Sequence, residues 1–285
     1  MPKRILIQLD CDPQPSTFDA VVAVDAGAEV LLRHGGVTPA TVEPLVHGAM
    51  FTRGGADLAA TAIFVGGSDV AAAEAVAAKV RATFFGPIRV GVLVDPNGAN
   101  TTASAAVIAA ARHVPVDAGC RAAVLGGTGP VGQRVARLLA GRGARVAIAS
   151  RSAARAAEAV RRIETAVPGA AVTAACGADE LADAIASADV IVAAGAAGVT
   201  LLDEPGRRRA AAARVIIDLN AVPPAGIAGV AATDKARPDG QAVVYGALGV
   251  GGTKMKIHKA AIARIFADQA AFLDAEELLA IGERL

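Results

Sequence analysis

The chain has no tryptophan, one tyrosine and seven phenylalanines among 285 residues, so aromatic side chains contribute little to whatever core it builds. Its three cysteines, Cys11, Cys120 and Cys176, are scattered, odd in number and free of any CxxC pair. That argues against a disulfide framework and a cysteine zinc site and leaves them as small apolar side chains in a reducing compartment. The four histidines are dispersed without ligand spacing, so no metal is expected. Neither sign of charge is in excess: 28 Lys and Arg stand against 27 Asp and Glu, for a formal net charge of +1. Nucleic-acid binders carry a basic excess or stripe, and a nucleic-acid partner is therefore not expected. Long apolar runs are missing too, although 54% of the residues are apolar. The longest uncharged stretch, Pro96–Ala111, is broken by Asn97, Gly98, Asn100, Thr101 and Thr102. A membrane-spanning helix needs about 20 consecutive apolar residues, so no membrane partner is expected. Met1-Pro-Lys-Arg4 leads straight into Ile5-Leu-Ile-Gln-Leu9, without the length or cleavage site of a signal peptide. The segment reads as a first strand, and the protein as cytoplasmic.

What is present is a run of short apolar segments alternating with helical patterns along the whole chain, the mark of parallel α/β architecture. Strands are predicted at Ile5–Leu9, Val30–Arg33, Thr61–Val65 and Val90–Val94, with helices near Ser16–Ala26, Pro39–Ala49, Ser68–Thr83 and Thr101–His113. A new unit opens near Cys120, with strands at Ala122–Leu125, Arg145–Ala149, Ala171–Ala175, Val190–Ala194 and Val215–Leu219. Helices are predicted there at Pro130–Arg142, Ala153–Val167 and Asp179–Ser187. A strand at Ala242–Tyr245 and helices at Lys254–Ala267 and Ala275–Arg284 complete the chain. The expected fold is therefore α/β in two lobes with a cleft between them. The first is an N-terminal α/β domain over residues 1–117, with the helices of 254–285 packing back on it, and the second a Rossmann-type domain over 118–253.

The strongest local signal is GxGxxG, read as Gly127-Thr128-Gly129-Pro130-Val131-Gly132. Its glycines permit a tight turn and a close approach of backbone N–H groups to a pyrophosphate, whose charge rests on the helix N-terminus. An apolar strand leads in, a helix leads out, and a second strand ends some twenty residues later, which is the context the motif requires. GxxxxGK[ST] occurs nowhere, so the loop is not a nucleoside-triphosphate P-loop. Where NAD-specific sites place Asp or Glu against the ribose 2′-hydroxyl, this chain has Ser150, Arg151 and Ser152, with Arg155 one turn on. Hydroxyls and guanidinium groups favour a 2′-phosphate, so NADP is the expected cofactor and NAD the weaker one. Ala194, Gly195 and Asn220, at the ends of two later strands, are further candidates for cofactor contact.

Two loops of the first lobe carry polar side chains at strand C-terminal ends, where open α/β sheets bind ligands. They are Pro15-Ser-Thr-Phe-Asp19 and Asp95-Pro-Asn-Gly-Ala-Asn-Thr-Thr102. Helix capping is the plain alternative, since Asp, Asn, Ser and Thr are ordinary caps. A third segment is Gly249-Val-Gly-Gly-Thr-Lys-Met-Lys-Ile-His-Lys259. A helix beginning near Thr253 would put Lys254, Lys256 and His258 in its first turns, where cations oppose the helix dipole unless an anion or carboxylate answers them. The other reading is a basic solvated face. Lys254 and His258 share a face, and Lys256 points elsewhere. No GxSxG elbow is present, and Tyr245 cannot begin a YxxxK motif because position 249 is glycine. A dehydrogenase acting on an alcohol needs a proton acceptor, and none presents itself. Oxidation of a carbon flanked by nitrogens leaves a stable cation and needs none.

Taken together, Pro15–Asp19, Ala62-Ile-Phe-Val-Gly-Gly67, Phe84-Phe-Gly-Pro87, Asp95–Thr102, Gly126–Gly132, Asp218–Ile227 and Gly246-Ala-Leu-Gly249 with the lysines after it give the chain a recognisable pattern. It resembles the NAD(P)-dependent methylene-tetrahydromethanopterin dehydrogenases of methylotrophic bacteria, whose relatives also accept methylene-tetrahydrofolate. The resemblance covers nearly the whole chain. It implies direct hydride transfer from the methylene carbon of a reduced pterin C1 carrier to NADP+, in the cleft between the lobes. The implied substrate residues are Ser16, Phe18, Asp19, Asp95, Asn97, Gly98, Asn100, Thr102 and Lys254, with Lys256 as the catalytic-site lysine. A homo-oligomer is expected. A shikimate-dehydrogenase-like NADP oxidoreductase and a non-catalytic NADP-binding protein are the alternative readings.

Overall fold

The computed structural model describes residues 2–285. By packing, the chain divides into two units, one running to Thr101 and resuming over Met255–Leu285, the other comprising Thr102–Lys254. The sequence pattern placed the junction at 117/118. The packing division falls instead inside a helix, because the helix that follows the fourth strand starts in one unit and ends in the other.

The first unit begins β1 (Ile5–Asp10), α1 (Thr17–Asp25), β2 (Val30–His34), α2 (Glu43–Phe51), β3 (Thr61–Gly66), α3 (Val70–Thr83) and β4 (Gly91–Val94), and α4 (Ala99–Ala111) leads out of it. The second unit holds β5 (Arg121–Leu125), α5 (Pro130–Gly141), β6 (Arg145–Ala149), α6 (Ala153–Ala166), β7 (Val172–Ala175), α7 (Ala178–Ser187) and β8 (Val190–Ala193). It continues through α8 (Glu204–Arg209), β9 (Val215–Asp218), β10 (Arg237–Asp239) and β11 (Ala242–Tyr245). Helix α9 (Ala247–Ala267) returns the chain to the first unit, which ends with β12 (Phe272–Leu273) and α10 (Ala275–Gly282).

The first sheet is parallel throughout, in the order β12-β4-β3-β1-β2. Side chains alternate across its faces with the period of two that a strand imposes. Ile7, Leu9, Ile63, Val65, Val92 and Val94 point to one face, packed with Val46 and Met50 of α2 and Val76 and Val80 of α3. Phe64 points to the other, where the His258 ring of α9 stacks on it with centroids 5.8 Å apart. Lys259 Nζ of α9 reaches Asp25 at the end of α1, 2.9 Å away. An exposed pair of this kind contributes little to stability, so the buried stacking fixes α9 on the sheet and the ion pair only accompanies it.

The second sheet runs β10-β11-β9-β8-β5-β6-β7, parallel except for the β10–β11 pair. Its core mixes Leu125, Ile191, Ile216 and Val244 with Ala123, Ala149, Ala188 and Ala193. Small side chains let helices approach the sheet closely, which is how a chain poor in aromatics still closes a core.

Several elements depart from the sequence pattern. Helix α2 starts at Glu43 rather than Pro39, because Thr38 N–H donates to Thr41 Oγ1 (3.0 Å) and Thr41 N–H to the Thr38 carbonyl (3.1 Å). That local turn competes with a helical start. The two-residue strand β12 and the three-residue β10 are too short to show a period. Helix α9 starts at Ala247, not near Lys254, although its first turns are glycine-rich. Two of the glycines at this start serve packing: a Cβ on Gly249 would lie 1.7 Å from the Asp234 carbonyl oxygen, and one on Gly246 2.0 Å from that of Ala231, whereas Gly251 and Gly252 have open space around them. The first N–H groups are met there as well, Leu248 and Gly249 donating to the Ala232 carbonyl at 2.8 and 3.3 Å. Lys254 and Lys256 therefore stand about two turns inside the helix, and the expected conflict between their charge and the helix dipole does not arise.

Candidate active site

The glycine loop between β5 and α5 shows which of its glycines the fold itself demands. Gly126 has φ +71°, and a Cβ there would sit 2.7 Å from Gly195 Cα. At Gly127 a Cβ would come within 2.7 Å of Ile148 Cγ2, and at Gly132 within 2.6 Å of the Gly126 carbonyl oxygen. Gly129 differs. Its nearest neighbours would be the Gly126 and Ala194 carbonyl oxygens at 3.4 and 3.5 Å, which is ordinary contact, and its φ of −78° suits any residue. Nothing in the folded chain requires glycine there, and the backbone at the N-cap of α5 is left bare. Pro130 at the first helical position lacks an N–H, and the next N–H groups of the turn have no partner within the helix. Together with the helix dipole they form a ready anion site, and the pyrophosphate of a dinucleotide fits it. Thr128 is braced through its carbonyl, which accepts from Gln133 Nε2 at 2.8 Å.

At the end of β6, Ser152 caps α6 by accepting from Arg155 N–H at 3.3 Å, and Ser152 N–H donates to Ser150 Oγ at 3.2 Å. The serines are half-buried and fix the turn, whereas the Arg151 and Arg155 side chains are exposed. Two guanidinium groups at this strand end suit a phosphate on the adenosine ribose. Ala194 N–H is bonded to the Leu125 carbonyl at 2.8 Å, which holds the loop after β8 against the glycine loop and leaves Gly195 exposed. Asn220 is committed to its own loop: Nδ2 donates to the Pro224 carbonyl at 3.0 Å and Oδ1 accepts from Val222 N–H at 3.0 Å. The buried Asp218 carboxylate ties the same loop, accepting from Asn220 and Ile227 N–H groups, each at 3.0 Å.

In the first unit two buried aspartates organise the strand ends. Asp10, at the end of β1, accepts from the N–H groups of Asp12 and Ser16, each at 3.0 Å. That sets Ser16 as the N-cap of α1, its Oγ accepting from Asp19 N–H at 3.2 Å. Phe18 is more than half exposed on the first turn, and Asp19 is half-buried. Asp95, after β4, accepts from the N–H groups of Asn100 (2.9 Å) and Thr101 (3.1 Å) and from Thr101 Oγ1 (2.6 Å). Asp95 and Asn100 are fully buried. Both are read from the sequence as substrate residues, and in the structure their side chains bond within the loop and build it. Gly98 is buried with φ +60°, which allows the turn. Asn97 forms the exposed tip with φ +53°, and Thr102 is half-buried.

Lys254 is half-buried and Lys256 exposed, while His258, which shares a helix face with Lys254, is buried against Phe64. All three cysteines are free thiols. Among the described residues no group of His, Cys, Asp and Glu could hold a metal, and no helix is long and apolar enough to cross a membrane. The sequence pattern missed Asp10 and Asp274 as loop-building groups. Asp274 had a signal, since Asp-x-x-Glu is the start of a helix with a capping box, and Asp274 N–H does donate to Glu277 Oε2 at 2.9 Å.

Comparison with known proteins adds the following. A model of the family described as methylene-tetrahydromethanopterin dehydrogenase, N-terminal, matches residues 17–97, and one described as shikimate/quinate 5-dehydrogenase matches 109–237. The bifunctional protein MdtA of Methylorubrum extorquens is 42% identical over the full length of both chains. The NAD(P)-dependent methylenetetrahydromethanopterin dehydrogenase of the same organism is 34% identical, and the match covers 89% of each chain. Among solved structures, quinate dehydrogenase from Corynebacterium glutamicum in complex with NAD superposes with a TM-score of 0.52 at 17% identity, covering 99% of each chain. That last likeness is one of fold.

Proposed function

Because the chain belongs to the methylene-tetrahydromethanopterin dehydrogenase family, we propose that it is the NADP-dependent member that oxidises a methylene-bearing reduced pterin to its methenyl form. The chain is an oxidoreductase that uses a nicotinamide cofactor. The observation that carries the NADP reading is the pairing of the open position at Gly129 with exposed Arg151 and Arg155 at the next strand end. The N-terminal N–H groups of α5 would hold the pyrophosphate, and Arg151 with Arg155 the 2′-phosphate. When bound, the nicotinamide supplies the hydride acceptor.

The chain's own part is orientation. Phe18 offers an exposed ring face against which a flat pterin stacks. Asn97 offers an amide at the tip of a loop that Asp95 and Asn100 hold from beneath, and Ser16 and Asp19 stand at the start of α1. Lys254 and Lys256 add cationic donors on α9. Hydride transfer needs reacting atoms about 3–3.5 Å apart, and fixed donors on rigid strand ends serve that end. Nitrogen lone pairs on either side of the methylene carbon stabilise the cationic product, so no side chain is asked to accept a proton.

The test is absorbance at 340 nm with NADP+ and, in turn, methylene-tetrahydromethanopterin, methylene-tetrahydrofolate and shikimate. Turnover on a methylene pterin and none on shikimate is the expected result. Turnover on shikimate alone would replace this reading with the hydroxy-acid one, and NADP+ binding without turnover on any of the three would mark a cofactor-binding protein.

A further inference from the structure

We propose that Asp274 is a positioning residue for the Asp95–Thr101 loop, and through that loop for the C1 carrier. The inference rests on the reading of this loop as part of the pterin site. Strand β12 is two residues long, yet it sits in register on the edge of the sheet, Phe272 against Val92 and Leu273 against Leu93. Val92 N–H also donates to the Ala271 carbonyl at 2.8 Å. The Arg81 guanidinium of α3 lies 3.8 Å above the Phe272 ring and holds the short strand from the side. This register delivers the next residue, Asp274, beside the end of β4 and the loop that leaves it.

There Asp274 Oδ1 accepts two bonds, one from Ala275 N–H at 2.8 Å and one from Asn100 Nδ2 at 2.7 Å. The Asn100 amide also donates to the Val94 carbonyl at 2.6 Å, and its backbone N–H to Asp95 Oδ1 at 2.9 Å. Asn100 thus sits fully buried between the last residue of β4, the aspartate that folds the loop, and the carboxylate of Asp274. The exposed tip of the loop is Asn97, at φ +53°. Asn is among the few non-glycine residues that adopt a left-handed conformation readily, and the bonds beneath the tip determine that it does so here. The carboxylate 174 residues along the chain from Asn100 supplies part of that determination. A charged acceptor makes a stronger and more directional bond than a neutral one, which suits an anchor.

Capping of α10 is the other task of this side chain, and serine separates the two. Ser is a good N-cap, but its oxygen is one bond closer to the backbone and falls short of Asn100. Asp274→Ser in the full chain is expected to raise the KM for the methylene pterin about tenfold, the decade that ~1.4 kcal/mol represents. kcat should fall by less than KM rises, while the KM for NADP+ stays at its wild-type value and the Tm drops by about a few degrees, because a buried amide donor loses its acceptor. Asp274→Asn returns an acceptor oxygen to the same place and should recover most of the lost affinity. Hydrogen exchange supplies a readout free of the substrate assignment: the amides of Asn97–Thr101 should exchange faster in Asp274→Ser and recover in Asp274→Asn. Wild-type KM and wild-type exchange in Asp274→Ser would overturn the proposal, as would equal impairment of the two variants. If the wild-type enzyme turns over no methylene pterin, the functional reading has failed, and the exchange data alone decide whether Asp274 positions the loop.

Discussion

Replacement of Gly129 discriminates between a loop that binds a dinucleotide and one that only turns. A Cβ at this position lies 3.4 and 3.5 Å from its nearest neighbours, and the backbone is in a conformation open to all residues. Gly129→Ala therefore adds no clash. Its stability cost is that of an alanine at an N-cap, up to about 1 kcal/mol, or ~2–4 °C in Tm for a chain of this size. Gly132→Ala is the control, because its Cβ would be 2.6 Å from a carbonyl oxygen and 2.7 Å from Gly127 Cα. Backbone cannot swing aside as a side chain does, and overpacking of this kind costs roughly 1–3 kcal/mol, with a larger drop in Tm. Cofactor binding should show a different order. On the dinucleotide reading, the methyl group of Gly129→Ala would occupy the space through which phosphate oxygens reach the helix N–H groups. Loss of one charge-assisted bond, about 1.5–3 kcal/mol, weakens NADP+ by about ten- to a hundredfold at ~1.4 kcal/mol per decade, and Gly129→Val should abolish binding. Calorimetric Kd values and Tm of the three variants are the measurements. A Gly129→Ala protein with normal NADP+ affinity, or with the stability loss of Gly132→Ala, would refute the reasoning.

Arg151→Ala should raise the KM for NADP+ by about one to two decades, from ~1.5–3 kcal/mol for its bond to a 2′-phosphate, and leave NAD+ nearly untouched; equal effects on both cofactors would remove Arg151 from the site. Lys256→Ala, at an exposed position inside α9 where alanine suits the helix, should lower kcat/KM for the methylene pterin by about a hundredfold without changing NADP+ affinity. No new pH dependence should appear in the residual rate, and rescue at raised pH would show that the lysine titrates in the reaction. Burial, and then the nearby carboxylates of Asp189 and Asp117, push the Cys120 thiol up to about 11 from 9.0. Between those values the folded state holds more protons than the unfolded one, so stability is fully present below pH 9 and declines as pH rises toward 11. The decline is at most about 1.4 kcal/mol per pH unit, and it should be absent from Cys120→Ala in parallel denaturant titrations at pH 8, 9, 10 and 11.

Much of the fold was legible because its determinants are local. The short apolar runs of Ile5–Asp10 and Thr61–Gly66, the helical period after Pro130 and the glycines between a strand and a helix all lie within a few neighbouring residues. So do the serines and arginines after β6, where the absence of a carboxylate is itself a local fact. These features announce a parallel α/β chain with a dinucleotide loop before any long-range contact is known, and the scattered motifs add the family.

Position in space decided the rest. Asp95, Asn97 and Asn100 are equivalent polar residues on paper, yet two turn inward to build their loop and one forms its tip. The glycines before Lys254 resemble a flexible loop but belong to the start of α9, and only the carbonyls of the Ala231–Asp234 segment show why a side chain is excluded at Gly246 and Gly249. Nor does the motif distinguish Gly129 from Gly127 and Gly132; the clearance around each Cβ does. The two residues of β12 carry no period, but their register on β4 brings Asp274 to Asn100 across most of the chain. A sequence specifies which residues can alternate, cap and turn. Burial, clearance and pairing belong to residues brought together from far apart, and the folded chain alone fixes them.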